Sequence, residues 1–436
     1  MPMVAFYTLG CKLNQYETEA MRGQLEEKGF HSVDFHQEAD VYVINTCTVT
    51  HRSDVRSRQM IRRAARRAGK RLVVVTGCYA QRAPQQLLKI PGVDLVLGNA
   101  EKARLLEYVD RQRGQGVFVS RIEGQRDFPE MEVTGFARHT RAFLKIQDGC
   151  DGHCTYCVVP MARGRSRSRK FSVVAQQVKG FIQAGYRELV LTGVNLGRYR
   201  DPQRPEVDLL YLLQWLEGQS DLGRVRLSSI EPTDLTDRLI DFLGYSKKVC
   251  RHLHIPMQSA DDQILQAMNR PYRAVEYAHL IERIAREIPG VAIGTDVIVG
   301  FPGETEKQFG ATRTMLQNLP ICRFHVFSFS GREGTPASTM SHQVSPEVRR
   351  HRSHVLRSLT RSKSLAFRRS FLGTQLTVLM EQRRDMATGL LTGLSDNYIK
   401  VLTKGSDQMM NCLVPIKIQR VAKEGTWGRP IWAGES

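Results

Sequence analysis

The sequence predicts an α/β protein in three parts: an N-terminal doubly wound parallel sheet, a central partial (β/α)6 barrel and a small C-terminal β-barrel. Three observations predict it. Short apolar runs alternate with helical patterns up to about residue 113, six further strand–helix pairs follow, and several short strands crowd the closing segment.

In the first part, residues 4–8 read as a strand and 14–28 as a helix closed by Gly29. A second strand at 41–45 precedes a very basic helix at 53–69, and a third at 72–76 precedes a helix at 81–88. A short strand at 95–97 and a helix at 101–111 complete the alternation, which implies a parallel sheet with helices on both faces. Residues 114–138 are polar and turn-rich and read as a linker. The middle part, 139–370, offers strands at 142–147, 188–192, 224–228, 252–255, 292–299 and 322–329, separated by helices such as 171–184, 261–268 and 304–318. Six such units make an open barrel rather than a closed eight-unit one, and chemistry gathers at the C-terminal ends of its strands. A basic helical connector at 346–371 leads to the last part, 371–436. There Leu376, Val378 and Met380 alternate and runs at 398–402 and 413–418 follow, as in small barrels that bind oligonucleotides.

The 436 residues allow several domains, and 41% hydrophobic content with 25% charged residues provides for packed cores. No run approaches the apolar length of a membrane span, and the first residues read as a strand rather than a leader, so a cytoplasmic protein without membrane contact is expected. Lysine and arginine number 63 against 44 acids, a net charge of +19 that favours a polyanionic partner.

Nine cysteines in such a chain point to metal binding or catalysis rather than disulfides. Cys150-x-x-x-Cys154-x-x-Cys157 follows the first barrel strand. Thiolates suit zinc or iron–sulfur clusters, but a structural zinc needs a fourth ligand, and His153 reads as a loop residue. Three thiolates on a four-iron cluster leave one iron open. Cys11, Cys47 and Cys78 each lie just beyond a predicted strand of the first sheet, at one edge, so they should converge. The competing reading is three separate buried thiols. Cys250, Cys322 and Cys412 lack ligand spacing and read as structural.

The Cys150 spacing, with Tyr156 before the last cysteine, resembles the signature of the radical S-adenosylmethionine superfamily. The strings TLGCKLNQYETEAM, INTCTVTHRSDVRSRQ, VTGCYAQ, DGCDGHCTYCVVPMARGRSRSR, LTGVNLGRY, RLSSIEP, LHIPMQSA and GTDVIVGFPGETE together resemble the methylthiotransferases of that superfamily, and the closing β-domain looks like their TRAM module. The stretch from Gly10 to Glu17 and the string around Cys47 are most similar to the MtaB branch.

The resemblance implies two 4Fe-4S clusters and S-adenosyl-L-methionine as cofactors. The cluster at Cys150, Cys154 and Cys157 would generate a 5′-deoxyadenosyl radical, and the cluster at Cys11, Cys47 and Cys78 would carry sulfur. The implied reaction replaces the C2 hydrogen of N6-threonylcarbamoyladenosine beside the tRNA anticodon with a methylthio group. The implied partners are the tRNA anticodon stem-loop, an electron donor and a sulfur source.

The resemblance also places cofactor contacts at strand ends: Gly193, Asn195, Ser229 and Glu231, with Gln258 and Gly300. The Gly-Gly-Glu usual after the second barrel strand is absent in literal form, which leaves the amino-group contact open. Asn195 and Glu231 equally suit helix caps or turns. The run carrying Arg163, Arg165, Arg167 and Arg169 reads either as a solvated turn or, beside the cluster loop, as a contact to RNA phosphate. Other readings stay open: action on isopentenyladenosine in tRNA, action on a ribosomal protein side chain, or a non-catalytic iron–sulfur RNA-binding sensor. The sensor reading leaves the partial barrel and the open iron without a purpose.

Overall fold

The computed structural model describes residues 1–69, 71–110, 116–133, 135–136 and 139–431. Its N-terminal sheet has six parallel strands in the order His31–Val33, Met3–Thr8, Val41–Thr46, Leu72–Gly77, Leu95–Leu97 and Gly116–Phe118. Val41–Thr46 is buried throughout, as a central strand covered on both faces must be. Helix Lys12–Glu26 turns Tyr16, Ala20, Met21 and Leu25 into a core shared with the central barrel. Helix His51–Ala68 lies on the opposite face, with Ile61, Ala64 and Ala68 against Val73 and Val75. The Thr50 hydroxyl accepts the Ser53 amide at 3.2 Å and caps this helix. The chain order reverses between Met3–Thr8 and Val41–Thr46, which opens the ligand crevice of doubly wound sheets at their C-terminal ends.

Several predicted elements are corrected. Pro84 cannot continue a helix, so the stretch at 81–88 divides into Cys78–Arg82 and Pro84–Leu88. The stretch at 101–111 is a tight turn, Glu101–Arg104, followed by helix Leu105–Asp110. Two three-residue strands, His31–Val33 and Gly116–Phe118, carry too little periodicity to be read from sequence. The second falls in the predicted linker and pairs with Leu95–Leu97, so the first sheet runs past the boundary placed at 113. Residues 111–115, 134, 137 and 138, in or beside that linker, lie outside the described residues.

The central part contains six parallel strands, all as expected to within a few residues. Ala142–Lys145, Glu188–Thr192 and Arg224–Leu227 form one sheet; His252–His254, Ala292–Val299 and Arg323–Ser328 form the next. Parallel bridges between Val225 and Val249 and between Ser229 and His254 join the two into one open arc.

Helix Pro346–Arg369 packs along the last strand and delivers the chain to a closed five-stranded barrel. Val378, Met380, Leu391, Val401 and Ile416 fill this barrel. It docks on the arc through two buried arginines, which pair with Glu188 at 2.6 and 2.8 Å. Arg224 donates to the carbonyls of Thr377 and Leu394, and Arg226 to those of Ser395 and Asp396. No helix among the described residues is long and apolar enough to cross a membrane.

Candidate functional site

Cys11 follows the first strand, Cys47 the third and Cys78 the fourth, so all three stand at the crevice of the sheet. Hydrogen bonds lace these strand ends together. The Asn14 amide donates to the carbonyls of Leu9 and Thr46 at 2.8 and 3.0 Å, and Asn45 donates to the Asn14 carbonyl at 3.0 Å. The Thr46 hydroxyl donates to the Thr76 carbonyl at 2.6 Å. Gly10 takes φ +101°, and a Cβ there would meet the Cys47 Cβ at 2.9 Å and its Sγ at 3.2 Å, so glycine lets the first loop close on the second.

Cys150, Cys154 and Cys157 lie on the loop after the first barrel strands, and each sulfur accepts an N–H. The donors are Gly152 N at 3.2 Å, Arg270 Nη1 at 3.3 Å and Val159 N at 3.4 Å respectively. The Gln147 amide holds the start of this loop by donating to the carbonyls of Asp148 and Gly149 and to the Ser166 hydroxyl. Its Oε1 accepts the Asn195 amide at 2.8 Å, which ties the loop to the second strand end.

Burial pushes the Cys157 thiol up to about 12 and the Cys47 thiol up to about 11, and raises Cys11 and Cys150 as well. Bare thiols there hold their protons, and only a metal favours their thiolates. Among the described residues, the group drawn closely enough around one point to hold a single ion is His254, Asp296 and His325, not either cysteine set. Thiolates that each bind a different iron of a cluster need not crowd around one point. The donor sets therefore fit iron–sulfur ligation.

Two cavities are lined by the strand-end residues. One, of about 1160 Å³, is lined by Cys150, Cys154, Asn195, Glu231 and Arg270. The other, of about 1580 Å³, is lined by Cys11, Cys47, Cys78, Gly193 and Ser229, and reaches the last barrel at Tyr398 and Trp427. The Asn195 Oδ1 is buried without a partner in the chain, and Glu231 pairs with Arg270. Gln258 and Gly300 line neither cavity. Gln258, at φ +66°, exchanges backbone hydrogen bonds with Asp296 and Ile298. Gly300, at φ +70°, is pressed against helix Pro346–Arg369, where a Cβ would meet Arg349 Cγ at 2.2 Å. Both have backbone roles in shaping these strand ends.

The arginine run is corrected too. Arg163, Arg167 and Arg169 are 3%, 8% and 1% exposed, so their guanidinium groups are spent inside the protein rather than on phosphate. Arg163 pairs with Glu17 at 2.9 Å and Asp148 at 3.0 Å, and also donates to Asn14 at 2.6 Å. Arg167 donates to the Arg163 carbonyl, and Arg169 pairs with Glu130 at 2.7 Å. Arg165 alone of the four is exposed. Cys250 is buried, but Cys322 lines the larger cavity and Cys412 is exposed, so the latter two are not core thiols.

Sequence reasoning missed Glu17. It accepts Arg163, Lys145 at 2.8 Å and Lys102 at 2.6 Å, and Lys145 also pairs with Asp148 at 2.7 Å. This buried network joins the helix after Cys11 to the helix after Cys157. It also missed His254, Asp296 and His325, whose rings and carboxylate form a hydrogen-bonded set in the larger cavity. Their signal was alternation along strands, with inward-facing polar side chains at every second position.

Residues 3–98 match the uncharacterized protein family UPF0004, and residues 144–316 match the radical SAM superfamily. The threonylcarbamoyladenosine tRNA methylthiotransferase MtaB of Bacillus subtilis is 41% identical over 99% of this chain and 97% of that relative. The MtaB of Aquifex aeolicus is 38% identical over 92% of this chain and 97% of its own. A tRNA-2-methylthio-N(6)-dimethylallyladenosine synthase of Clostridium tetani is 30% identical over 97% of this chain and 95% of its own. Among solved structures, the radical S-adenosylmethionine methyltransferase TsrM of Kitasatospora setae shares the fold. Its TM-score is 0.56 at 17% identity, covering 77% of each chain.

Proposed function

The chain belongs to the radical S-adenosylmethionine methylthiotransferases, in the branch of the MtaB threonylcarbamoyladenosine tRNA methylthiotransferases, and from that premise we propose its substrate, its second cluster and the residues that serve it. The substrate is N6-threonylcarbamoyladenosine at tRNA position 37, in the anticodon stem-loop, and the product carries a methylthio group in place of the C2 hydrogen. One observation carries the reading: Cys150 and Cys154 line one cavity and Cys11, Cys47 and Cys78 another, with Asn195 in the first lining and Gly193 and Val194 in the second.

When bound, the cluster at Cys150, Cys154 and Cys157 with S-adenosylmethionine supplies the radical, and the cluster at Cys11, Cys47 and Cys78 supplies the sulfur that a second S-adenosylmethionine methylates. The protein's part is positioning and charge. Gly152, Arg270 and Val159 donate to the three sulfurs of the first set and so tune their electron density. Asn195 and Glu231 offer polar atoms to the cofactor in the smaller cavity, and Gly193 and Ser229, close to them in the chain, line the larger one. Arg163 balances the negative charge of the second set, since its guanidinium opposes the burial that raises Cys11. Arg165 and the exposed Arg56, Arg62, Arg63 and Arg66 of the basic helix are left to meet RNA phosphate, while Arg67 donates to the carbonyls of Phe35 and His36. An electron donor and a sulfur source complete the set of partners, in the cytoplasm.

Mass spectrometry of tRNA nucleosides tests the substrate. Deletion of the gene should remove the methylthio form of threonylcarbamoyladenosine and re-expression should restore it. Loss of the methylthio form of dimethylallyladenosine instead would move the protein to the other tRNA branch. Gly10→Ala tests the second cluster. The added Cβ forces Cys47 away, so reconstituted protein should hold about four irons rather than about eight. An unchanged iron count would separate Gly10 from the cluster.

A further inference from the structure

The larger cavity contains polar groups that the chain itself leaves without partners. Lys12 lines it directly after Cys11, and among the described residues its ammonium makes no hydrogen bond or ion pair. His252 lines the same cavity, and its buried Nδ1 has no hydrogen-bond partner. Its ring lies flat on Tyr398 of the last barrel, with centroids 4.3 Å apart and 21° between planes. Burial, Arg226 and Lys12 keep the imidazole neutral, so Nδ1 is free to accept or donate one hydrogen bond. Of the neighbouring cations, Arg323 lines the same cavity and, among the described residues, its side chain makes no hydrogen bond or ion pair either. Arg226 is spent on Glu188 and on backbone carbonyls, and Arg368 on the Gly425 carbonyl.

A cation and a neutral hydrogen-bonding group left unpaired in a cavity wall require a ligand that supplies an anion and a polar partner. An apolar ligand would leave both desolvated, at a cost that binding cannot recover.

We propose that Lys12, with His252 beside it, determines specificity by binding the carboxylate end of an amino-acid-derived N6 substituent on the target adenosine. The assignment rests on the function proposed above and adds to it the residues that distinguish an acidic substituent from an apolar one. Lys12 supplies the charge, and His252, fixed by Tyr398, supplies the polar contact.

The test uses cluster-loaded full-length protein as wild type, Lys12→Gln and Lys12→Arg, with iron content checked in each. The RNAs are anticodon stem-loops that carry threonylcarbamoyladenosine, its carboxyl methyl ester, or dimethylallyladenosine. Dissociation constants, KM and kcat are measured for each pair. In the wild type, the free acid should bind roughly 10- to 100-fold more tightly than the ester, the usual worth of a hydrogen bond to a charged group. Lys12→Gln should abolish that ratio by raising Kd and KM for the acid alone, and Lys12→Arg should restore most of it. An acid-to-ester ratio unchanged in Lys12→Gln overturns the proposal. If the wild type modifies none of the RNAs, the proposed function falls, and the binding ratio still decides for or against Lys12.

Discussion

Alanine at Cys150, Cys154 and Cys157 together should leave reconstituted protein with about four irons instead of about eight, and with no cleavage of S-adenosylmethionine. The loop offers no replacement thiolate. Asp151 and His153 also line the smaller cavity, but a carboxylate and an imidazole are harder donors than the thiolates an iron–sulfur cluster takes. The remaining irons should belong to Cys11, Cys47 and Cys78, because those thiols are anchored by their own strand ends and by Asn14. Iron and sulfide analysis with a deoxyadenosine assay reads both effects. A wild-type count near four would overturn the second cluster. Retained cleavage in the triple variant would overturn the assignment of the first.

Replacing Glu17 with alanine should be the most destabilising single change to the packing. Glu17 is buried with Lys102, Lys145 and Arg163 around it. Burial alone would raise its carboxyl, but Arg163, Lys102 and Lys145 outweigh that and hold it well below the usual carboxylate range. Removing it leaves three buried cations with Asp148 as their remaining counter-charge. Breaking a buried pair in this way costs about 3–5 kcal/mol. Denaturant melts followed on the N-terminal half should show that loss, and Glu17→Gln should lose nearly as much because the charge, not the shape, is what matters. A loss below about 1 kcal/mol would mean that water reaches the network. A carboxyl with a depressed value contributes its stability above the ordinary carboxylate range. The network should thus be intact at neutral pH and fail only when pH falls through the lowered value.

Much of this was legible in the sequence. The six central strands and the closed last barrel were readable because apolar runs with turn residues between them survive any packing. That Cys11, Cys47 and Cys78 stand at one sheet edge was readable because parallel strands deliver their C-terminal ends to one edge, wherever those strands sit in the chain. The arginine run was not. Arg163, Arg165, Arg167 and Arg169 look alike in sequence, and only Glu17, Asp148 and Glu130, distant in the chain, decide which of them is drawn inside. The close approach to Gly300 was hidden for the same reason: the helix Pro346–Arg369 that covers it comes from further along the chain. Lys12 carried no signal at all, because what distinguishes it is the lack of a partner in three dimensions.

Around Glu17 and Asp148 stand Lys102, Lys145, Arg163 and Arg167, four cations to two carboxylates, at the junction of the first sheet and the central arc. Under the two-cluster reading, thiolates holding iron nearby would add negative charge that protonated thiols do not. Maturation and assembly are therefore linked. The iron-free chain should seat its two halves more loosely and melt at a lower temperature, and each cluster loaded should tighten the joint, so iron starvation would shorten the protein's life in the cell.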